Sequence, residues 1–149
     1  MLYIIQMVNK SAMRNVARWL LAQEAAMVDP SGAKVQAALF VCEKLRIPLS
    51  RLSGTAGYSV LVGRALALAK AEYPSLVSWR IREDGSLEVP GPAGQGRDTE
   101  EIQKAGAALV AQLLELLATF VGEILAMRLV RDVWPDAPYE LIDIETEKP

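Results

Sequence analysis

The residues best placed to do chemistry are carboxylates and arginines in the long apolar segment near the C-terminus. Glu115 and Glu123 are eight positions apart and would lie on one side of a helix, about 12 Å apart along its axis. That separation is too long for the carboxylates to share a proton or a metal ion directly. A catalytic pocket between helices would need further groups, and Arg128 and Arg131 are the candidates.

A structural explanation of the two carboxylates is simpler. Nearly every other residue from 107 to 127 is apolar, and carboxylates on such a helix usually form its solvated stripe or pair with arginines of a neighbouring helix. We therefore expect a structural role and keep a small enzyme with a carboxylate and arginine pocket as an alternative. At 100° per residue the polar side chains form one narrow stripe: Gln112, Glu115, Thr119 and Glu123.

The chain of 149 residues contains no histidine and one cysteine, Cys42. The absence of histidine excludes Ser-His-Asp and Cys-His nucleophile systems and zinc sites with imidazole ligands. A single cysteine excludes Cys-rich metal sites and an intramolecular disulfide, and it fits a reducing compartment. We predict no metal site and no cofactor, a buried Cys42 and a cytoplasmic location.

Charge is divided unevenly along the chain. Residues 1–82 carry 11 basic and 4 acidic side chains, whereas residues 83–149 carry 5 basic and 14 acidic ones. A basic surface for nucleic acid or another polyanion is one interpretation. The pI of 5.2 disfavours nucleic acid, however, and a surface with charges of both signs suits protein recognition better.

Two kinds of side chain are candidates for contacts with a partner. Basic residues spaced four apart predict a stripe along the first helix, and two further arginines share one face of a predicted hairpin. The three tryptophans are candidate anchors, because tryptophan is enriched at interface centres, although a core position is their commoner role. The full set is Lys10, Arg14, Arg18, Trp19, Trp79, Arg80, Arg82 and Trp134.

Three helices are predicted in the first half of the chain. Apolar residues with helical spacing predict an amphipathic helix that ends near Met27. Ser31 can cap a second helix, which we expect to stop at Pro48. Thr55 can cap a third helix that runs to about Tyr73, just before a proline.

The period of the sequence changes after the third helix. Apolar and polar residues alternate through residues 76–89, and Asp84-Gly85 divides this segment in two. This pattern predicts a β-hairpin. The Pro- and Gly-rich segment 90–97 that follows is expected to be a loop.

A long helix is predicted at about residues 99–133. It would be near 50 Å long, more than a small domain usually needs, so we expect either a break near Gly106 or Gly122 or a helix that protrudes from the domain. Charged residues within the segment make a membrane span unfavourable, so the helix is expected to be central to the core. The acidic tail at 139–149 is expected to be extended or frayed.

Three segments resemble a group of short bacterial proteins that carry no assigned activity. The resemblance covers about residues 35–138 and implies a bacterial cytoplasmic protein, but it transfers no functional residue. The segments are LSGTAGY at 52–58, RALALAKAEYP at 64–74 and FVGEILAMRLVRDVWP at 120–135.

These observations predict a soluble, mainly α protein with a single domain over residues 1–149. The domain is expected to be a bundle of about four to five helices with one small hairpin before a long C-terminal helix. The apolar fraction of 52% is high for a soluble monomer. We therefore expect a non-enzymatic interaction or regulatory protein that self-associates, as a homodimer, or docks a protein partner. The alternatives are the small enzyme and a polyanion-binding module.

Overall fold

The described part of the protein is mainly helical, with a small two-stranded antiparallel hairpin before its C-terminal helices, as the sequence predicts. The computed structural model describes the backbone of residues 2–26, 33–88 and 99–137 and the side chains of residues 13–26, 37–88 and 103–137.

Four predictions fall outside these residues. The cap at Ser31, the loop 90–97 and the tail 139–149 are not described, and neither is the side chain of Lys10. In chain order the described elements are α1 (Leu2–Ala26), α2 (Ala33–Glu72), a 3-10 turn η1 (Pro74–Leu76), β1 (Arg80–Ile81), β2 (Leu87–Glu88), α3 (Thr99–Val121) and α4 (Glu123–Val133).

Helix α2 continues through Pro48, so the prediction that it stops there is wrong. A proline inside a helix removes one hydrogen bond and costs about 3 kcal/mol. Leu45 and Leu49, on either side of it, are fully buried, and each contributes roughly 1.5–3 kcal/mol by leaving water. Burial of the two leucines is therefore large enough to offset the local cost of Pro48.

The interruption of α2 lies instead at Gly54. Its φ of 81° and ψ of 161° are not helical, and this region of positive φ favours glycine. The Tyr58 hydroxyl donates a 3.2 Å hydrogen bond to the carbonyl of Cys42, 16 residues earlier. In a straight helix these residues would be about 24 Å apart. Helix α2 therefore folds back at Gly54 into two packed segments.

A second glycine separates α3 from α4. Gly122 has φ 92° and ψ 155°, so the long predicted helix breaks at one of the two expected positions. Its N–H donates to the carbonyl of Ala118 at 2.8 Å, and its own carbonyl accepts from Ala126 at 3.0 Å. Backbone hydrogen bonding thus continues to the break from both sides while the chain changes direction there.

The other predicted break, Gly106, lies within α3 and has a packing role. A Cβ atom built on Gly106 would lie 3.0 Å from the Cβ of Ala38 on α2. This distance is shorter than ordinary van der Waals contact, so a side chain at this position would force the helices apart. Glycine here therefore permits a close approach of α3 to α2.

The core lies around α3, which packs against both α1 and α2, while α4 packs against α3 and α2. The segment Gln103–Val121 is long and apolar enough to cross a membrane by length and hydropathy. The core helix of a folded domain meets the same criterion. Buried side chains along α3 contact the other helices, which favours the predicted central position.

The hairpin is shorter than predicted, because Val77 lies in a turn before β1 and is 75% exposed. Its loop is a three-residue type, in which the Gly85 N–H donates to Arg82 and the Arg82 N–H donates to Ser86. Asp84 accepts hydrogen bonds from the hydroxyl and the N–H of Ser86 at 2.6 and 2.9 Å. These bonds lower the pKa of the Asp84 carboxyl and fix the loop.

Gly85 joins the hairpin to α2. Its φ is 88°, and a Cβ atom at this position would come within 2.8 Å of the Tyr58 ring. Two constraints therefore favour glycine at this position: the positive φ of the turn and the aromatic ring of Tyr58 that a Cβ would meet.

We expect Gly85→Ala to lower the free energy of unfolding by about 1–3 kcal/mol, since it places a Cβ in the left-handed region and against Tyr58. Gly63→Ala is the matched control, because Gly63 is helical and nothing lies within 4 Å of its Cβ position. The control should be neutral or stabilising by up to about 1 kcal/mol. Urea unfolding measures both, and an equal loss in the two variants would contradict this account of the turn.

Candidate functional site

A cleft of about 420 Å³ lies between α1 and α3, and the C-terminal end of α2 contributes to its wall. Short side chains on the facing helices leave the space, and longer polar side chains surround it. We call it the α1–α3 cleft. It is lined by Arg14, Ala17, Arg18, Glu72, Tyr73, Lys104, Ala107, Ala108, Ala111 and Gln112.

Helical spacing brings these side chains to one place. Arg14 and Arg18 are one turn apart on α1, and Ala17 lies on the same side of that helix. On α3, Lys104 and Ala108 repeat the four-residue spacing opposite them. The cleft is therefore a product of two amphipathic helices whose facing residues are small in the middle and basic at the edge.

The cleft has an excess of positive charge. Among its lining residues whose side chains the structure describes, three are cationic and one, Glu72, is a carboxylate. The Nε of Arg14 donates to Glu115 on α3 at 3.3 Å. Among the residues whose side chains are described, no carboxylate lies within 4.0 Å of the cationic groups of Arg18 or Lys104.

A smaller cleft of about 220 Å³ lies next to the first one and shares Arg18 and Ala107 with it. Its remaining lining is mainly alanine and leucine from α1 and α2, with the amide of Gln103. Arg18 thus stands between a charged cleft and a mostly apolar one.

The most buried charged side chain in the described parts of the protein is Glu24, which is 4% exposed. One of its oxygens, Oε2, accepts from Lys44 Nζ at 2.6 Å and from Trp134 Nε1 at 2.9 Å. The ammonium of Lys44 also lies 6.0 Å from the centroid of the Trp134 ring. This cluster, which we call the Glu24 cluster, joins α1, α2 and the residue that follows α4.

Two tryptophans predicted as surface anchors are core residues. Trp79 is 2% exposed and packs in the core, and Trp134 is 7% exposed and donates to Glu24. Their rings are covered within the chain, which is the core position predicted as the commoner role of tryptophan. Trp19 is half-buried, and Arg80 and Arg82 are exposed on the hairpin.

The candidate catalytic residues do not converge on one site. Glu115 pairs with Arg14, as the structural explanation predicts, whereas Glu123 lies beyond the break on a different helix. Arg128 is exposed, and Arg131 donates to the carbonyl of Pro135 at 3.4 Å. None of the four candidates lines either cleft. Within the described ranges, no group of three acidic or cysteine side chains could hold a metal ion.

An exposed apolar pair lies on either side of the α3–α4 break, and sequence reasoning did not find it. Phe120 is 77% exposed and Ile124 is 76% exposed, each two residues from Gly122. We call this region the Gly122 corner. An unbroken apolar run predicts burial for both residues, and the backbone turn is what removes them from the core.

No protein-family model matches the chain, and no curated protein and no solved structure is significantly similar to it.

Cys42 is a buried core residue, as predicted. Burial, followed by the nearby charge of Glu43, raises the pKa of its thiol from 9.0 to about 12. The thiolate is the reactive form of cysteine. At pH 8 its fraction is then about 1,000-fold lower than for an ordinary thiol with a pKa of 9.0.

We expect native Cys42 to react with DTNB at pH 8 at least about 1,000-fold more slowly than a free thiol. The same chain in denaturant is the control and should react at the ordinary rate. Absorbance of the released thiolate gives both rates. A native rate within a factor of about ten of the denatured rate would show that Cys42 is accessible and ionisable.

Proposed function

We propose that this protein is a non-enzymatic interaction protein that self-associates, and that the Gly122 corner is the contact between copies. The observation that carries the proposal is the exposure of Phe120 and Ile124, each more than three-quarters open to solvent. Burying each side chain removes apolar surface worth roughly 1.5–3 kcal/mol from water. Large apolar side chains of this kind are typical of the centre of an interface.

The surroundings of the corner extend this apolar surface. Leu116, Val121 and Leu125 are half-buried, so each contacts the protein and still presents part of its side chain to solvent. The other exposed large apolar residues of the described part lie on other elements, and each is less exposed than Phe120 and Ile124: Ile47, Leu52, Val60, Leu68 and Val77. Single exposed apolar residues are normal on a soluble protein, whereas a continuous group indicates a contact site.

A second copy of the chain is the occupant that fits the charges on α4. Arg128 and Asp132 are exposed at four and eight positions beyond Ile124, so they continue along the same face. A two-fold interface places one patch against an identical patch, so the patch must complement itself. An apolar centre with one cation and one anion beside it meets that condition, since each copy supplies the partner of each charge.

The enzyme alternative has less support. It depends on Glu115, Glu123, Arg128 and Arg131 acting together, and these residues lie on two helices and line neither cleft. Glu115 already has an arginine partner on α1. A reaction would need these groups within hydrogen-bond reach of one substrate atom.

Light scattering of the purified chain across about 5–500 μM tests the proposal, because association depends on concentration. We expect a mass that reaches twice that of one chain. Phe120→Ser combined with Ile124→Ser should weaken the association at least about tenfold, since two central apolar anchors are removed.

Val60→Ser combined with Val77→Ser is the matched control, because those residues are 72% and 75% exposed and lie away from the corner. The control variant should associate like the unchanged chain. A strict monomer over the whole concentration range would overturn the proposal. Equal loss of association in both double variants would show that the contact is not at the Gly122 corner.

A further inference from the structure

We propose that the α1–α3 cleft is a binding site for a small phosphate monoester with an organic body. This inference goes beyond self-association and does not depend on it, since the cleft and the Gly122 corner share no residue.

The charge of the cleft matches that of a phosphate monoester. Glu115 already balances the charge of Arg14, whereas Arg18 and Lys104 carry two positive charges and Glu72 carries one negative charge. A monoester carries about −1.5 to −2 at neutral pH, which is enough to balance both Arg18 and Lys104.

The cations approach from two directions. Arg14 and Arg18 come from α1, whereas Lys104 comes from α3 on the opposite wall. The contact between Arg14 Nε and Glu115 holds that guanidinium in place, and its terminal nitrogens carry further N–H donors. Arginine suits the planar, bidentate contacts that phosphate oxygens accept, and lysine adds a point charge.

The volume of the cleft favours an ester over inorganic phosphate. At about 420 Å³ the cleft has the size of sites that hold small organic ligands. The cleft has the volume of roughly 14 water molecules at about 30 Å³ each, so a single free phosphate ion would leave most of it to water. Four alanines of the lining, which we call the alanine floor, offer an apolar surface: Ala17, Ala107, Ala108 and Ala111. Gln112 and Tyr73 offer polar groups for hydroxyls of an organic body.

A long polyanion fits the same wall less well. Nucleic acid is held by a continuous basic track that neutralises several phosphates. Here one carboxylate is part of the lining, and the chain has a net charge of −2. The arrangement is therefore suited to one phosphate in a concave site.

Isothermal titration calorimetry of the full chain with ribose 5-phosphate and adenosine 5′-monophosphate tests the inference, with ribose and adenosine as phosphate-free counterparts. We expect saturable binding of at least one ester and none of its counterpart. Arg18→Gln and Lys104→Gln should each weaken that binding at least about tenfold, because each removes a charge-assisted contact. Arg64→Gln, an exposed arginine on α2 outside the cleft, is the matched control and should change nothing.

A second variant tests the organic body separately from the phosphate. Ala108→Leu adds bulk to the floor without changing the charge, so it should weaken binding of the ester at least about tenfold. Circular dichroism and urea unfolding verify that each variant is folded. Because Arg18 and Lys104 are exposed, loss of either charge should leave the fold intact.

Three results would overturn the inference. The first is no saturable binding of either ester up to about 10 mM. The second is an equal loss of binding in Arg64→Gln, which would indicate a diffuse charge effect. The third is tight, steeply salt-dependent binding of a single-stranded oligonucleotide together with no binding of the esters, which would indicate a polyanion surface instead.

Discussion

The arrangement of the helices depends on how the protein satisfies one buried carboxylate, that of Glu24. A charge taken out of water is costly unless it is paired and hydrogen-bonded, and removal of a partner leaves that cost uncompensated. The same oxygen of Glu24 accepts from Lys44 on α2 and from Trp134 beyond α4. These three elements must therefore meet in one register, and α1 then presents its other residues to α3.

Both sites follow from that constraint and from two glycines. Gly54 lets α2 fold back so that its end reaches the α1–α3 cleft, where it contributes Glu72. Gly122 lets α4 turn away from the axis of α3. The hydrogen bond from Trp134 to Glu24 then holds the C-terminal end of α4 against α1. The break leaves Phe120 on the surface. Positive φ at two positions thus decides which side chains are buried and which can meet a partner.

Periodicity in the sequence predicts the helices, the hairpin and a break near Gly106 or Gly122, because these features arise from local pattern and backbone freedom; the structure has the break at Gly122. The predicted helix end at Pro48 is wrong, because the prediction includes the local cost of proline in a helix but not the burial of Leu45 and Leu49 beside it. The cleft could be predicted only in part. Arg14 and Arg18 share a helical stripe, but Lys104 and the alanine floor join them through tertiary packing. The same is true of Glu24 and Trp134, which are 110 residues apart.

Hydrogen exchange, measured by mass spectrometry on Glu24→Ala, tests most directly whether the Glu24 cluster holds α4 in place. The account predicts at least about tenfold faster exchange at residues 123–133, with residues 55–72 unchanged, because local opening follows the lost contacts. Glu43→Ala is the matched control, since Glu43 pairs with Arg46 within α2. Unchanged protection of α4 in Glu24→Ala, or an equal loss in the control, would contradict the account.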